Sequence, residues 1–381
     1  MIQDKFEDIR PYIDSEIVPV MKRISKHPLL DPILAYLFPD NEPNELRKQV
    51  SSIKSVEEFQ GKIMLSSIHS IVSKTSTSLT YSGLENISGD KKHLLISNHR
   101  DILLDSGIIQ AIFYDNNLPT SEMAVGDNLI TEQFIEDVAR SNKMIKVVRS
   151  TNPRELYNSS SLLSEYIRTV ITAGKSSVWI AQRNGRTKDG IDVTEQGLLK
   201  MFDMSGNGNF VDDFDELSIV PISISYEYEP CDHLKTRELY ISRRQKYVKA
   251  AGEDIVSILT GIIQEKGAIH IHFGKPISRH ELECISELEK NEKFKALAEL
   301  IDKYIVSGYK LFKTNYIAFD ILNDSSDYSS HYTSEDREAF DAYYKAKISE
   351  LFGDRSEIEE IMLSIYANPV INRNRIGIDF L

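Results

Sequence analysis

Cysteine is nearly missing from this chain, its apolar runs are short and its basic residues are outnumbered. Each shortage removes a class of function. Of 381 residues only Cys231 and Cys284 are cysteine, and they form no close pair, so neither a disulfide framework nor a zinc site is indicated and two free thiols are expected. Stretches free of acid, lysine and arginine, such as 63–73 and 217–226, fall well short of the roughly 20 apolar residues needed to cross a bilayer, so no transmembrane helix is expected. The opening MIQDKFEDIRPYIDSEIV mixes acids and bases and has no apolar core; it does not read as a secretory signal, and a cytoplasmic location follows as the expectation. Lys and Arg number 45 against 58 Asp and Glu, a net charge of -13, whose field repels nucleic acid and anionic lipid alike. No nucleic-acid partner is expected, and contact with an anionic membrane would need a local basic patch. The densest one, Arg237, Arg243, Arg244, Lys246 and Lys249, reads better as a solvated face.

What the chain does have is 41% hydrophobic composition, enough for a substantial core. Up to about Thr80 the apolar residues recur at three and four, as in Ile68, Ile71 and Val72, the period of helices. Within this front piece the apolar segment 29–38 fits burial against neighbouring helices better than contact with a membrane. From about Leu84 to Ser278 short β-type runs appear at 93–97, 145–148, 177–181, 218–225 and 268–273, separated by helical patterns. That alternation predicts an α/β fold, a mixed sheet flanked by helices. Beyond Ser278 the chain turns acidic and helical, and ELECISELEKNEKFKALAELIDKYI reads as an exposed amphipathic helix.

The chemistry-bearing residues cluster at LLISNHRDILLDSG, 94–107. His99-Arg100-Asp101 spells the start of a kinase catalytic loop, but the chain has no Asp-Phe-Gly, and Ser106 stands where that loop needs Asn. In an α/β sheet this segment is a strand-to-helix junction, where helix N-termini and reactive groups gather. There a histidine can take a proton from a bound hydroxyl while a carboxylate orients its other ring nitrogen. Asp101 and Asp105 are the two candidates for that carboxylate, and Asp101 is also suited to cap the helix.

Four more segments follow in order: Lys146-Val147-Val148-Arg149-Ser150, then Trp179 to Gly190 with Gln182-Arg183-Asn184-Gly185-Arg186-Thr187-Lys188 at its centre, then Ile219-Val220-Pro221-Ile222-Ser223-Ile224-Ser225-Tyr226-Glu227, and finally Gly267 to Ile277 with Phe273-Gly274-Lys275-Pro276-Ile277 at its end. Together with Asn98-His99-Arg100-Asp101-Ile102-Leu103-Leu104-Asp105 they resemble the blocks of the glycerolipid acyltransferase family, the glycerol-3-phosphate and 1-acylglycerol-3-phosphate O-acyltransferases. Two departures stand out. The family's His and Asp are separated by four residues, here by five, and the family's Glu of the third block is replaced by Arg183 or Asn184.

The resemblance implies a glycerol-3-phosphate acyltransferase-like fold, with an acyltransferase domain at 83–278 between a helical N-terminal region, 1–82, and a helical C-terminal region, 279–381, packed on the core. It implies transfer of a fatty acyl group from acyl-CoA or acyl carrier protein to the hydroxyl of a glycerol-3-phosphate, lysophosphatidate or related anionic acceptor. In that reaction His99 is the base, Asp105 its partner, and nearby backbone N–H groups hold the oxyanion. Asn98, Arg100, Arg149, Gly185, Arg186 and Lys188 are then the expected substrate-binding residues, with no metal or cofactor and with peripheral contact to a membrane. Gly190 would help the chain turn around the ligand, and Pro221 would shape an edge strand or bulge. His270 and His272 share one strand face and read as a satisfied pair rather than a metal site. The departures leave a second reading, a catalytically weak lipid-binding protein with this fold.

Overall fold

Among the described residues seven strands form one sheet in the order β1-β7-β6-β2-β5-β3-β4. They are β1 (Ser76–Ser82), β2 (Leu94–Ser97), β3 (Glu122–Gly126), β4 (Met144–Val147), β5 (Val178–Ala181), β6 (Ile219–Tyr226) and β7 (Gly267–Phe273). The computed structural model describes residues 5–130 and 132–376; the outer ends of the two expected helical regions, 1–4 and 377–381, lie outside them. Strands β6, β2, β5, β3 and β4 run parallel to one another. β7 is antiparallel to β6, and β1 follows β7 in parallel. The C-terminal ends of five strands therefore open on one edge, and each of the first four sequence blocks ends there.

Alternation along the strands divides the apolar residues between two faces. Leu94, Ile96, Val178 and Ile180 pack with helices Pro153–Thr172 and Lys290–Ser307. Leu95, Trp179, Val220 and Ile222 pack with helix Leu104–Asp115 and with Ile68 and Ile71 of helix Ser66–Thr75. Two further apolar clusters sit outside the sheet, one among the front helices and one among helices Lys313–Leu322, Ser334–Ser349 and Arg355–Ile376.

Five structural findings differ from the sequence reading. The helical front ends at Thr75, because Ser76–Ser82 pairs with β7 as an edge strand. Its Ser- and Thr-rich sequence shows no apolar alternation, and most of its residues are exposed. β3 went unread because Glu-Met-Ala-Val-Gly carries a single β-branched residue. The acidic helix after Ser278 is two helices, Arg279–Ser286 and Lys290–Ser307, and the second buries Phe294, Leu297, Ile301 and Ile305 in the main core. Pro221 lies inside β6, which has neighbours on both sides. The Pro221 carbonyl accepts from Gly274 N just beyond the last β7 pair, Ile222 with Phe273, so its nitrogen faces a place where no ladder donor is required. Segment 29–38 is only half hidden: Leu30 and Leu34 are buried, whereas Leu29, Ile33 and Tyr36 are exposed.

Candidate active site

Asn98 ends β2 by binding the neighbouring strand: its Nδ2 donates to Ile224 O at 2.9 Å and its Oδ1 accepts from Ile224 N at 2.8 Å. The chain is thereby turned off the sheet, and His99 is held at the strand edge with its carbonyl accepting from Thr187 N at 2.8 Å. His99 Nδ1 lies 2.8 Å from Asp105 Oδ2. That same oxygen accepts from Arg100 N at 2.6 Å and Asp101 N at 2.9 Å, and Oδ1 accepts from Tyr226 Oη at 2.9 Å. An oxygen already accepting two amides is an acceptor toward the ring as well, which puts the proton on Nδ1 and leaves Nε2 free for a substrate. Asp101 is bonded differently. Its Oδ1 accepts from Leu103 N and Leu104 N at 2.9 and 2.8 Å, capping the helix that starts at Leu104. Its Oδ2 is buried without a hydrogen-bond partner among the described residues, and burial, then the charge of Asp105, raises its pKa. The extra residue between His99 and Asp105 is taken up in the turn at 100–103, so that Asp105 falls on the first helical turn and reaches back to the ring.

The indole of Trp179 meets the His99 ring edge-on, centroids 5.9 Å apart, and is itself fixed by Nε1–H donating to Ser97 Oγ at 3.0 Å. Two concavities meet at His99. One, of about 570 Å³, is mostly apolar, lined among others by Ile102, Met123, Val147, Leu163, Leu198 and Met201. The other, of about 250 Å³, is lined by Arg149, Arg183, Arg186, Lys188 and Lys249, with Asp189 and Asp254. Lys188 is held by Glu238, and Lys249 by Asp254 at 2.6 Å. Burial, reinforced by Lys249 and Arg186, pulls the Lys188 pKa down to about 8. Among the described residues no ion pair is formed by Arg149, Arg183 or Arg186, and Arg183 Nε and Arg186 Nη1 are buried without a hydrogen-bond partner.

His99, Arg149, Gly185, Arg186 and Lys188 thus come together at the strand edge as expected from the sequence. Asn98 and Arg100 do not. Asn98 is fully buried, with both polar atoms used on Ile224 and Asp192. Arg100 points away from the cleft into a buried network, donating to Asp192 Oδ2 at 2.5 Å and Glu229 Oε2 at 3.4 Å. Lys235 also binds Glu229, at 2.6 Å, and Tyr309 binds Asp192. A charged side chain directly after the histidine looked like a ligand contact, but the reversal of the chain after β2 sends it under the sheet. The amides of 100, 101, 103 and 104 are committed to the two aspartates, so these four are not available as the oxyanion donors expected there. Gly185, at φ 77, has open space where a Cβ would sit. Gly190, at φ 80, is needed for packing instead: a Cβ there would lie 2.4 Å from Ile365 O of the last helix. His270 is held by Thr80 and Ser82, and His272 by Ser82; among the described residues no group of metal-ligand type is formed.

Tyr226, Trp179, Arg183 and Lys249 were not assigned to the site from the sequence. Tyr226 lies in the fourth block, and its place at the C-terminal end of β6 was the available signal. Lys249 comes from outside all five blocks, on a loop that only the folded chain brings to the cleft.

A family model described as Acyltransferase matches residues 78–225, the span that contains β2 to β5, nearly all of β6, and the cleft walls up to Lys188. Among solved structures, the 1-acyl-sn-glycerophosphate (LPA) acyltransferase PlsC from Thermotoga maritima is similar at 12% identity over 77% of this chain and 92% of that one, with a TM-score of 0.41. No curated protein matches. The match to the Acyltransferase family model runs across the strand edge where four of the five blocks meet, so residues 78–225 are similar to an acyltransferase domain.

Proposed function

We propose that the protein moves a fatty acyl group from a thioester, acyl-CoA or acyl carrier protein, to the hydroxyl of an anionic glycerolipid-type acceptor such as glycerol 3-phosphate or a lysophosphatidate. The observation that carries this reading is the position of the His99–Asp105 pair between an apolar cavity and a cationic cleft. The acyl chain belongs in the first, whose volume is in the range of ligand pockets. The acceptor's anionic group belongs in the second, where unpaired guanidinium groups suit the planar, bidentate geometry of phosphate or carboxylate.

His99 Nε2 takes the proton of the acceptor hydroxyl as its oxygen attacks the thioester carbonyl carbon. The new C–O bond forms, the C–S bond breaks, and the leaving thiolate takes the proton from the imidazolium. Asp105 holds the ring and stabilises the imidazolium between these steps. With the amides of 100, 101, 103 and 104 committed, positive charge for the carbonyl oxygen would come from other donors lining the cleft.

Thiol release measured with each acceptor in turn tests this reading. The expected result is release that requires glycerol 3-phosphate or a lysophosphatidate. Acyl-chain binding with no acceptor-dependent release would favour the lipid-binding alternative instead.

A further inference from the structure

Helix Glu253–Ile263 is packed with its small side inward. Its buried positions are Ser257 and Gly261, while Ile255, Val256, Leu259 and Ile263 are 62, 51, 55 and 61% exposed. At this spacing the four aliphatic side chains form one stripe. Ile258 and Ile262 are half-buried, with Ile262 packed on the core, but a helix that buries a serine and a glycine while leaving four large aliphatic residues in water presents a surface suited to being covered. The inward fit is close: a Cβ on Gly261 would fall 2.2 Å from Asp101 Oδ2, so the helix backbone rests on the aspartate that caps the helix after His99. On the same helix Asp254 lines the cationic cleft, as does Lys249 just before it. The stripe therefore borders the entrance through which an acceptor would pass.

The segment leading into this helix, Arg243-Arg244-Gln245-Lys246-Tyr247-Val248-Lys249, contains no acid. Val248 is 78% exposed, and Lys246 makes no ion pair among the described residues. Arg243 and Arg244 pair with Glu357 and Glu360 at the surface. An aliphatic stripe flanked by lysine is the pattern of a helix lying in a membrane interface.

We infer that helix Glu253–Ile263 and segment 243–249 form a docking surface for a lipid bilayer bearing anionic headgroups. The inference rests on the acyl-transfer reading in one respect: amphiphilic acceptors are held by membranes, and the stripe lies beside the cleft they would enter. Docking there would bring the cleft mouth to the headgroup layer.

The test uses the full chain with vesicles of phosphatidylcholine and phosphatidylglycerol, without turnover. Wild type should co-sediment, with binding that weakens as salt rises, because part of the attraction is charge. The double variant Leu259→Ser/Ile263→Ser should lose at least about tenfold in partition while melting no lower than wild type, since both side chains are exposed. Its turnover of a short-chain acyl-CoA with glycerol 3-phosphate should be unchanged. Leu259→Trp should shift its emission to the blue on vesicles. Absence of wild-type binding, or equal binding by the double variant, overturns the inference. So does a solution dimer that the serine variant converts to monomer, which would give the stripe to a second copy. Vesicle binding that depends on the stripe, in a protein that transfers no acyl group, would uphold the docking surface while removing the catalytic reading.

Discussion

Asp105 accepts four hydrogen bonds while fully buried, from His99 Nδ1, Arg100 N, Asp101 N and Tyr226 Oη. Two substitutions separate its electrical role from its structural one. In Asp105→Asn the amide oxygen can take the Oδ2 position and keep three donors, while the amide nitrogen faces Tyr226, whose hydroxyl turns to accept. The bonds survive and the charge does not. An imidazolium about 4 Å from a carboxylate is stabilised by about 4 kcal/mol at an effective dielectric of about 20. Losing that in the transition state should lower kcat by roughly 10²–10³-fold. In Asp105→Ala the four donors are left without their acceptor, at about 1–3 kcal/mol each, against a total stability of about 5–15 kcal/mol. Steady-state thiol release and a thermal melt on the same preparations read both effects. The expected outcome is an Asn variant that melts near wild type but turns over slowly, and an Ala variant that melts much lower. Wild-type kcat in the Asn variant would refute the charge role, and an Asn melt as low as that of Ala would show that the carboxylate only holds the loop together.

Three further outcomes are expected. Arg149→Ala and Arg186→Ala should each raise the acceptor KM by about tenfold or more with little change in donor KM, because the lost contact is ground-state binding; unchanged acceptor KM values would make these residues surface charges. Gly197 lines the apolar cavity with nothing within 4 Å of the place of a Cβ. Gly197→Leu should therefore exclude long-chain thioesters, spare short ones and leave the helix no less stable, and an unaltered chain-length profile would move the acyl chain elsewhere. Burial pushes the Glu122 carboxyl, bonded by Tyr166 Oη, from 4.5 up to about 7. The folded chain thus keeps this proton longer than the unfolded one, and stability from the group falls as pH rises from about 4.5 to about 7. Glu122→Gln should gain on wild type in urea unfolding by on the order of 1–3 kcal/mol between pH 5 and pH 8; a constant difference would show that the carboxyl is not held neutral.

The sheet was readable wherever its strands carry their own apolar signal. β2, β5, β6 and β7 lie within the central sheet and read as such, whereas β1 is a polar edge strand whose place comes from pairing with β7 far along the chain. The site divides in the same way. His99, Asp105, Arg149 and Arg186 each follow a strand whose end could be located, and parallel strands bring such ends together. Arg100 shows the boundary of that reasoning, because neighbouring residues in a turn face opposite directions and Asp192, Glu229 and Tyr309, which draw it inward, come from three separate later segments. Gly190 looked like a ligand turn because sequence does not show Ile365 lying against it.

The central claim is that His99 is the base. His99→Ala removes a side chain that is 14% exposed and leaves Asp105 with its two amide donors and Tyr226, so the fold should persist. Single-turnover acyl transfer from acyl-CoA to glycerol 3-phosphate or a lysophosphatidate, measured beside a thermal melt, is the most direct test. Transfer at least ~100-fold slower with a melt close to wild type is expected for a lost general base. Transfer at the wild-type rate in the alanine variant would contradict it.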